Sequence, residues 1–115
     1  MSQTIRRRTT SRLEVYAPVF AALGDQTRLS LVVKLADGQE CSISQLTAGS
    51  QMTRQAITKH LRVLENAGVV RHVRKGRESR FAFNPRPIEG ITEYLTRISE
   101  QWDEALLSLK AFVES

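Results

Sequence analysis

Apolar residues near the end of the chain recur at a regular spacing. After Pro85 the steps between them alternate between three and four residues, at Ile88, Ile91, Leu95, Ile98, Trp102, Ala105, Leu109 and Phe112. This heptad pattern predicts a helix over residues 86–113 with one apolar seam. At ~1.5 Å per residue the helix is roughly 40 Å long, which exceeds the body of so small a domain.

Half of the seam is therefore expected to lack a partner within its own chain. One interpretation folds the whole helix onto its own domain; the length favours pairing with a second copy, with Trp102 as an anchor. The first predicted helix would contribute to the same contact. The predicted dimer interface is Leu13, Tyr16, Phe20, Ile91, Leu95, Ile98, Trp102 and Leu109.

Two helices are predicted in the first third of the chain. The first runs from Leu13 to about Leu23, and Pro18 inside it implies a kink or a later start. Asp25 is a good N-cap for a second helix that ends near residues 37–38. Residues 1–12 carry four arginines, no acid and no apolar periodicity, so they are predicted to be a flexible basic arm, either a solvated tail or a contact to phosphates.

The middle of the chain predicts a helix-turn-helix. Residues 39–43 suit a short edge strand, and Ser42 with Gln45 forms a capping-box pattern that opens a short helix over residues 43–48. A turn follows at residues 49–51, and Thr53 caps a longer helix that ends at residue 66. A short helix, a tight turn and a longer helix are the parts of this motif.

The longer helix, residues 53–66, has one apolar and one polar side. Ile57, Leu61 and Leu64 fall on the apolar side, and His60 is expected to pack beside them. The opposite side carries donors that suit phosphates and base edges: Arg54, Gln55, Thr58, Lys59 and Arg62. A solvated amphipathic helix would show the same pattern, so the choice between these two interpretations depends on the segment that follows.

That segment is a basic β-hairpin. Two β-rich runs, 69–74 and 79–84, flank residues 75–78, where Gly76 suits a tight turn. The hairpin has one acid, Glu78, against Arg71, Arg74, Lys75, Arg77 and Arg80. The predicted fold is mainly α with a small β-hairpin, a winged helix-turn-helix over residues 13–115 that is dimeric through its terminal helices.

The charge distribution supports two separate tasks. The 115 residues carry a net charge of +5 and a pI near 10.0, with eight Lys or Arg and two acids in residues 54–80. Residues 88–115 reverse this, with six acids and two bases. A basic middle indicates a polyanion partner, and an acidic end indicates a protein partner.

Other classes find little support in the sequence. The sequence contains no apolar run of about 18 residues and no signal-peptide pattern, so nothing in it indicates a membrane span or export. Cys41 is the single cysteine, which precludes an internal disulfide and fits a reducing cytoplasm. The sequence also lacks a paired nucleophile and base and a phosphate-binding loop, so its motifs do not indicate an enzyme.

The chain resembles the ArsR/SmtB-like winged-helix repressors over about residues 13–113. The resemblance lies in ALGDQTRLSLVVKLADG (22–38) and SISQLTAGSQMTRQAITKHLRVLENAGVV (42–70). It implies a cytoplasmic homodimer that binds a palindromic operator in double-stranded DNA and represses transcription, often of its own operon. By position it implies a major-groove set, Thr53, Arg54, Gln55, Thr58, Lys59 and Arg62, and a wing set near the backbone or minor groove, Arg74, Lys75 and Arg77.

The chain departs from the metal-sensing members of that family. Their third-helix metal box has two cysteines around a valine, whereas this chain has Ser42 and Ser44 at those positions and Cys41 where a leucine is expected. The last helix has no histidine for the other common site. We therefore predict no metal site and no cofactor, and the inducer is left open.

Two alternatives use the same residues. The acidic heptad helix would suit a protein-interaction adaptor, and the basic surface would suit a nonspecific nucleic-acid-binding protein. The concentration of cations in residues 54–80 argues against the adaptor.

Overall fold

The computed structural model describes residues 2–115, with side-chain surroundings from residue 12 onward. Five helices and three strands follow one another over these residues. In chain order they are α1 (Ser2–Leu23), α2 (Gln26–Ala36), β1 (Cys41–Ser42), α3 (Ile43–Thr47), α4 (Arg54–Asn66), β2 (Val70–Lys75), β3 (Glu78–Phe83) and α5 (Arg86–Glu114).

Helix α1 begins earlier than the sequence predicts. It starts at Ser2 instead of Leu13 and continues through Pro18. The alternative prediction of a start after this proline is therefore wrong. Residues 2–12 contain no glycine or proline that would end a helix, and the backbone can extend from the part of α1 that packs on the domain. The division of the chain into an arm and a domain at residue 12 stays a prediction.

The predicted helix caps are confirmed. The Asp25 carboxylate accepts the backbone N–H of Arg28 at 3.0 Å. The Ser42 hydroxyl accepts the N–H of Gln45 at 3.1 Å, and the Gln45 side chain accepts the N–H of Ser42 at 2.8 Å, which completes the capping box. The Thr53 hydroxyl accepts the N–H of Ala56 at 3.1 Å. These bonds fix where α2, α3 and α4 begin, because each satisfies a backbone donor left free in a first helical turn.

The strands form a three-stranded antiparallel sheet in the order β1-β3-β2. The hairpin strands lie one residue from the predicted positions, with Val70 opposite Phe83 and Lys75 opposite Glu78. Gly76 in the turn has a φ of 62°, which glycine adopts at little cost. The edge strand β1 joins the sheet where Cys41 lies opposite Phe81.

One hydrophobic core holds α2, α3, α4 and the sheet together. Leu35, Leu61, Leu64 and Val69 are each 0 % exposed. Helix α1 reaches this core through Val19 and Ala22, and α5 reaches it through Ile91. The full set of core residues is Val19, Ala22, Leu31, Val32, Leu35, Leu46, Ile57, Leu61, Leu64, Val69, Val70, Phe81 and Ile91. Burying a leucine fully contributes about 1.5–3 kcal/mol, so α4 sits on a well-anchored frame.

Helix α5 continues far beyond the core. The domain measures 67 × 30 × 22 Å along its principal axes. Ile91 is buried and Ile98 is half-buried, but Leu95 and the large apolar side chains from Trp102 onward are exposed, including Trp102 (65 %) and Phe112 (79 %). None of the helices over residues 2–115 is both long enough and apolar enough to span a membrane.

Candidate nucleic-acid interface

Helix α4 presents its polar side to solvent. Ile57, Leu61 and Leu64 are at most 1 % exposed and fasten the helix to the core. The opposite side lines a shallow depression of about 620 Å³ formed by Arg54, Gln55, Thr58, Lys59 and Arg62. Because the inner face is fixed, these side chains are offered together on a rigid support, as recognition in a DNA groove requires.

Two hydroxyls of the predicted groove set are already engaged. Thr53 uses its oxygen as the N-cap acceptor of α4. Thr58 donates its hydroxyl to the backbone carbonyl of Arg54 at 2.7 Å. Both side chains therefore stabilise the first turns of α4, whereas Gln55, Lys59 and Arg62 are exposed and form no side-chain hydrogen bond among the residues with described side chains.

The β2–β3 hairpin, which is the wing, carries both exposed arginines and a lysine that forms an ion pair. Arg74 and Arg77 are exposed. The Lys75 ammonium, in contrast, lies 3.0 Å from Oε2 of Glu40, just before β1. This pair ties the end of β2 to the segment before the edge strand, and it partly neutralises one of the three wing cations predicted to meet DNA.

A cleft opens between the wing turn and the helix-turn-helix. We call it the wing cleft; it has a volume of about 380 Å³ and is lined by Ser42, Ile43, Ser44, Arg54, Arg77, Glu78 and Ser79. Nη1 of Arg54 donates to Oγ of Ser44 at 2.7 Å, joining the first residue of α4 to α3. The Glu78 carboxylate pairs with Arg80 at 3.2 Å.

His60 makes a polar contact that the predicted packing beside leucines does not include; the packing itself stays a prediction. Its Nδ1 lies 3.3 Å from Nη1 of Arg28 and 3.8 Å from the Asp25 carboxylate. The same guanidinium donates to the carbonyls of Ala22 and Ala21, at 2.6 and 3.3 Å. Local sequence patterns do not predict this contact, because Arg28 and His60 are 32 positions apart.

The titration of Asp25 is perturbed by its surroundings. The backbone N–H of Arg28 donates to its carboxylate, which lowers the pKa of Asp25 below its usual 3.8, and the positive charge of Arg28 acts in the same direction. The Asp25 carboxylate is thus held in its charged form at the start of α2.

The predicted dimer residues fall into three groups. Ile91 is buried in the chain's own core at 6 % exposure, so it has little surface to offer a second subunit. Tyr16 and Ile98 are half-buried, and Tyr16 packs against Tyr94 with ring centroids 5.4 Å apart. The exposed members, available to a second chain, are Leu13 (48 %), Phe20 (37 %), Leu95 (48 %), Trp102 (65 %) and Leu109 (59 %).

The residues at the family's metal-box positions perform other tasks. Ser42 caps α3, and Ser44 accepts from Arg54. The Cys41 thiol lies 3.7 Å from the Gln39 carbonyl. Among the side chains that the structure describes, no three His, Cys, Asp or Glu residues come close enough to hold a metal ion together.

A short helix, a turn, a polar-faced helix and a basic hairpin, in this packing, define a winged helix-turn-helix DNA-binding domain. A family model described as bacterial regulatory protein, arsR family, matches residues 25–72. The uncharacterised HTH-type transcriptional regulator YuzN of Bacillus subtilis strain 168 is 39 % identical over 79 residues, 64 % of this chain and 86 % of that protein. The chain belongs to the ArsR family of transcriptional regulators, which confirms the resemblance.

Two further relatives agree with this assignment. The arsenical resistance operon repressor of Bacillus subtilis is 28 % identical over 79 residues, covering 69 % of this chain and 75 % of that protein. The solved structure of an ArsR-like transcriptional regulator from Rhodococcus sp. RHA1 matches with a TM-score of 0.76 and 36 % identity, covering 90 % of this chain and 94 % of that chain. The predicted fold class is therefore confirmed over nearly the whole chain.

Proposed function

We propose that this regulator is a homodimeric repressor that binds a palindromic operator, including one upstream of its own gene, in the cytoplasm. The observation that carries the proposal is the exposed polar side of α4 on a buried apolar support. In this arrangement Gln55, Lys59 and Arg62 enter the major groove, and Arg74 and Arg77 of the wing approach the neighbouring backbone or minor groove. Repression is the activity that the name of the arsenical resistance operon repressor states for that relative.

The dimer is proposed from the exposed part of the α5 seam. Trp102, Leu109 and Phe112 lie in one heptad seam, and each is more than half exposed. An apolar row this long is costly to leave in water, and a second copy provides a matching row by two-fold symmetry. Exposed Leu13 and Phe20 of α1 extend the same apolar surface.

Two-fold symmetry has a consequence for DNA. A dimer would present two α4 helices to half-sites about one helical turn apart, roughly 34–36 Å, on one side of the duplex. Doubling the basic surface also predicts a steep loss of affinity with salt, because each phosphate contact releases counterions.

We propose further that the signal is not a metal ion bound at the family's third-helix site and that no cofactor is needed. The support is chemical. Serine hydroxyls replace the two thiolates, and both are engaged, Ser42 in a helix cap and Ser44 with Arg54. Neutral hydroxyls are poor ligands for the soft metals that such cysteines bind.

The test is fluorescence anisotropy with labelled duplex from the region upstream of the gene, compared with a scrambled duplex of equal length. We expect a preference of ~10³-fold or more for the upstream duplex at physiological salt. Adding Zn²⁺ or a chelator should leave it unchanged. Equal binding to both duplexes would instead support a nonspecific nucleic-acid-binding protein, and no binding to either would support an adaptor.

A further inference from the structure

We propose that the wing cleft binds one phosphodiester group of the DNA backbone, and that Arg54 holds this phosphate instead of reading a base edge. The proposal rests on the proposed DNA-binding function and assigns a role within that surface. Its residues come from three parts of the chain: α3, the start of α4 and the wing turn.

The charge of the cleft suits an anion. Arg54 and Arg77 both line it, and in the part of the chain with described side chains neither forms an ion pair. The acid in the lining, Glu78, is engaged by Arg80. Two guanidinium groups without a carboxylate partner can share a phosphate through charge-assisted hydrogen bonds, and Ser44 and Ser79 add hydroxyls to the lining.

The position of Arg54 separates it from the other cations of α4. Its Nη1 donates to Ser44 on α3 at 2.7 Å, so the guanidinium is directed toward α3, at the edge of the polar side. In a helix-turn-helix the first helix crosses the DNA backbone, whereas the N-terminal residues of the second helix contact base edges. Arg54 is the first residue of α4, but its guanidinium is held against α3 by the bond to Ser44. A side chain held against α3 is therefore placed beside a phosphate.

Ser44 is the positioning residue in this arrangement. Its hydroxyl fixes a long, flexible side chain before DNA arrives, which reduces the conformational entropy lost on binding. Removing the hydroxyl leaves the charge of Arg54 in place but removes its orientation. The two residues should therefore affect DNA binding differently.

The first experiment measures the salt dependence of binding for the full-length protein with upstream and scrambled duplexes. Arg54→Ala should weaken both by the same factor, roughly ten-fold or more per site, as expected for a lost charge-assisted hydrogen bond. The slope of log K against log salt should fall in magnitude by about one for each subunit. Ser44→Ala should weaken both duplexes less, with an unchanged slope, and Lys34→Ala on α2 is the control for loss of a distant charge.

The second experiment replaces single phosphates of the upstream duplex by neutral methylphosphonates. At one position in each half-site, the methylphosphonate should lower the affinity of the wild type. The same substitution should not lower the affinity of Arg54→Ala any further, because the side chain that contacts this phosphate is already absent. Loss of preference for the upstream duplex in Arg54→Ala, with no methylphosphonate position coupled to it, would show a base contact and overturn the proposal.

Inorganic phosphate and chloride at equal ionic strength distinguish the source of the anion. Similar competition by both salts supports a site for the DNA backbone. Selective competition by phosphate without any methylphosphonate effect would assign the cleft to a free anion and overturn the proposal. If the wild type binds both duplexes equally, sequence-specific repression fails, but the slope and methylphosphonate results still decide the role of Arg54.

Discussion

Arg28 in α2 and His60 in α4 are in hydrogen-bond contact, with Nη1 of Arg28 3.3 Å from Nδ1 of His60. A guanidinium has no acceptor, so the arginine donates in this contact and Nδ1 accepts. Arg28 also donates to Ala22 and Ala21, two of the carbonyls that end α1. One side chain therefore joins the end of α1, the start of α2 and the middle of α4.

Arg28→Ala should loosen this junction. It removes the donor to the Ala22 carbonyl at the end of α1, whereas the Ala21 carbonyl keeps the backbone N–H of Gly24. We expect the free energy of unfolding to fall by about 2 kcal/mol. Arg28→Lys should recover only part of the loss, because an ammonium does not reproduce the fork of the guanidinium. Urea denaturation measures the change, with the exposed Lys34→Ala on the same helix as the control. Equal stability of Arg28→Ala and the wild type would contradict the assigned role.

Stability at low pH should depend on Asp25. Its pKa is lowered chiefly by the hydrogen bond from the Arg28 backbone N–H, so the folded state favours the carboxylate. The stabilisation is complete above the usual value of 3.8 and is lost as the pH falls through the lowered pKa. Asp25→Asn keeps a side-chain oxygen for the cap but does not titrate. The difference in urea midpoint between wild type and Asp25→Asn should shrink or reverse below the lowered pKa of Asp25. A difference that does not change with pH would argue against a contribution of the Asp25 charge to stability.

Gly90→Ala should destabilise the protein, although alanine is normally better than glycine inside a helix. A Cβ at residue 90 would lie 2.9 Å from Cε1 of the Tyr16 side chain, so the ring, which packs against Tyr94 between α1 and α5, would have to shift. The cost of such overpacking is about 1–3 kcal/mol, larger than the ~1 kcal/mol gained in helix propensity. In a Tyr16→Leu background the same substitution should be neutral or stabilising. Thermal unfolding of the four proteins in this cycle gives the coupling, and additive effects would contradict the contact.

Trp102→Ala should weaken the proposed dimer. The side chain is 65 % exposed in the single chain and lies near the middle of the α5 seam. Loss of an interface anchor costs about 2 kcal/mol or more, a roughly 30-fold or larger rise in the dimer Kd. Analytical ultracentrifugation over a concentration series measures this, and exposed Glu100→Ala on the same helix is the control. An unchanged association constant for Trp102→Ala would remove the tryptophan from the interface.

Gln55 and Lys59 should affect DNA binding in different ways. Both are exposed on α4, but an amide can pair with an adenine edge whereas an ammonium suits a phosphate. Gln55→Ala should reduce the preference for the upstream over the scrambled duplex by roughly ten-fold, the value of about one base contact. Lys59→Ala should weaken both duplexes and leave the preference intact. Anisotropy titrations measure both constants, and the reverse pattern would exchange the two roles.

Features of this protein that depend on local chemistry can be predicted from the order of its residues. The caps at Asp25, Ser42 and Thr53 follow from short-range hydrogen bonds between a side chain and a backbone amide three residues away. The two-sided character of α4 follows from helical periodicity, so the exposed positions of Gln55, Lys59 and Arg62 could be predicted without a structure.

Contacts between distant segments cannot be predicted in this way, because they depend on how the helices pack. His60 is predicted to pack beside leucines, but its contact with Arg28, 32 positions earlier, arises only where α2 meets α4. Ile91 fits the heptad of α5 as well as Trp102 does, yet one is buried in the domain and the other is exposed. A periodic pattern states which side of a helix is apolar; which part of that side meets its own chain depends on where the helix crosses the core.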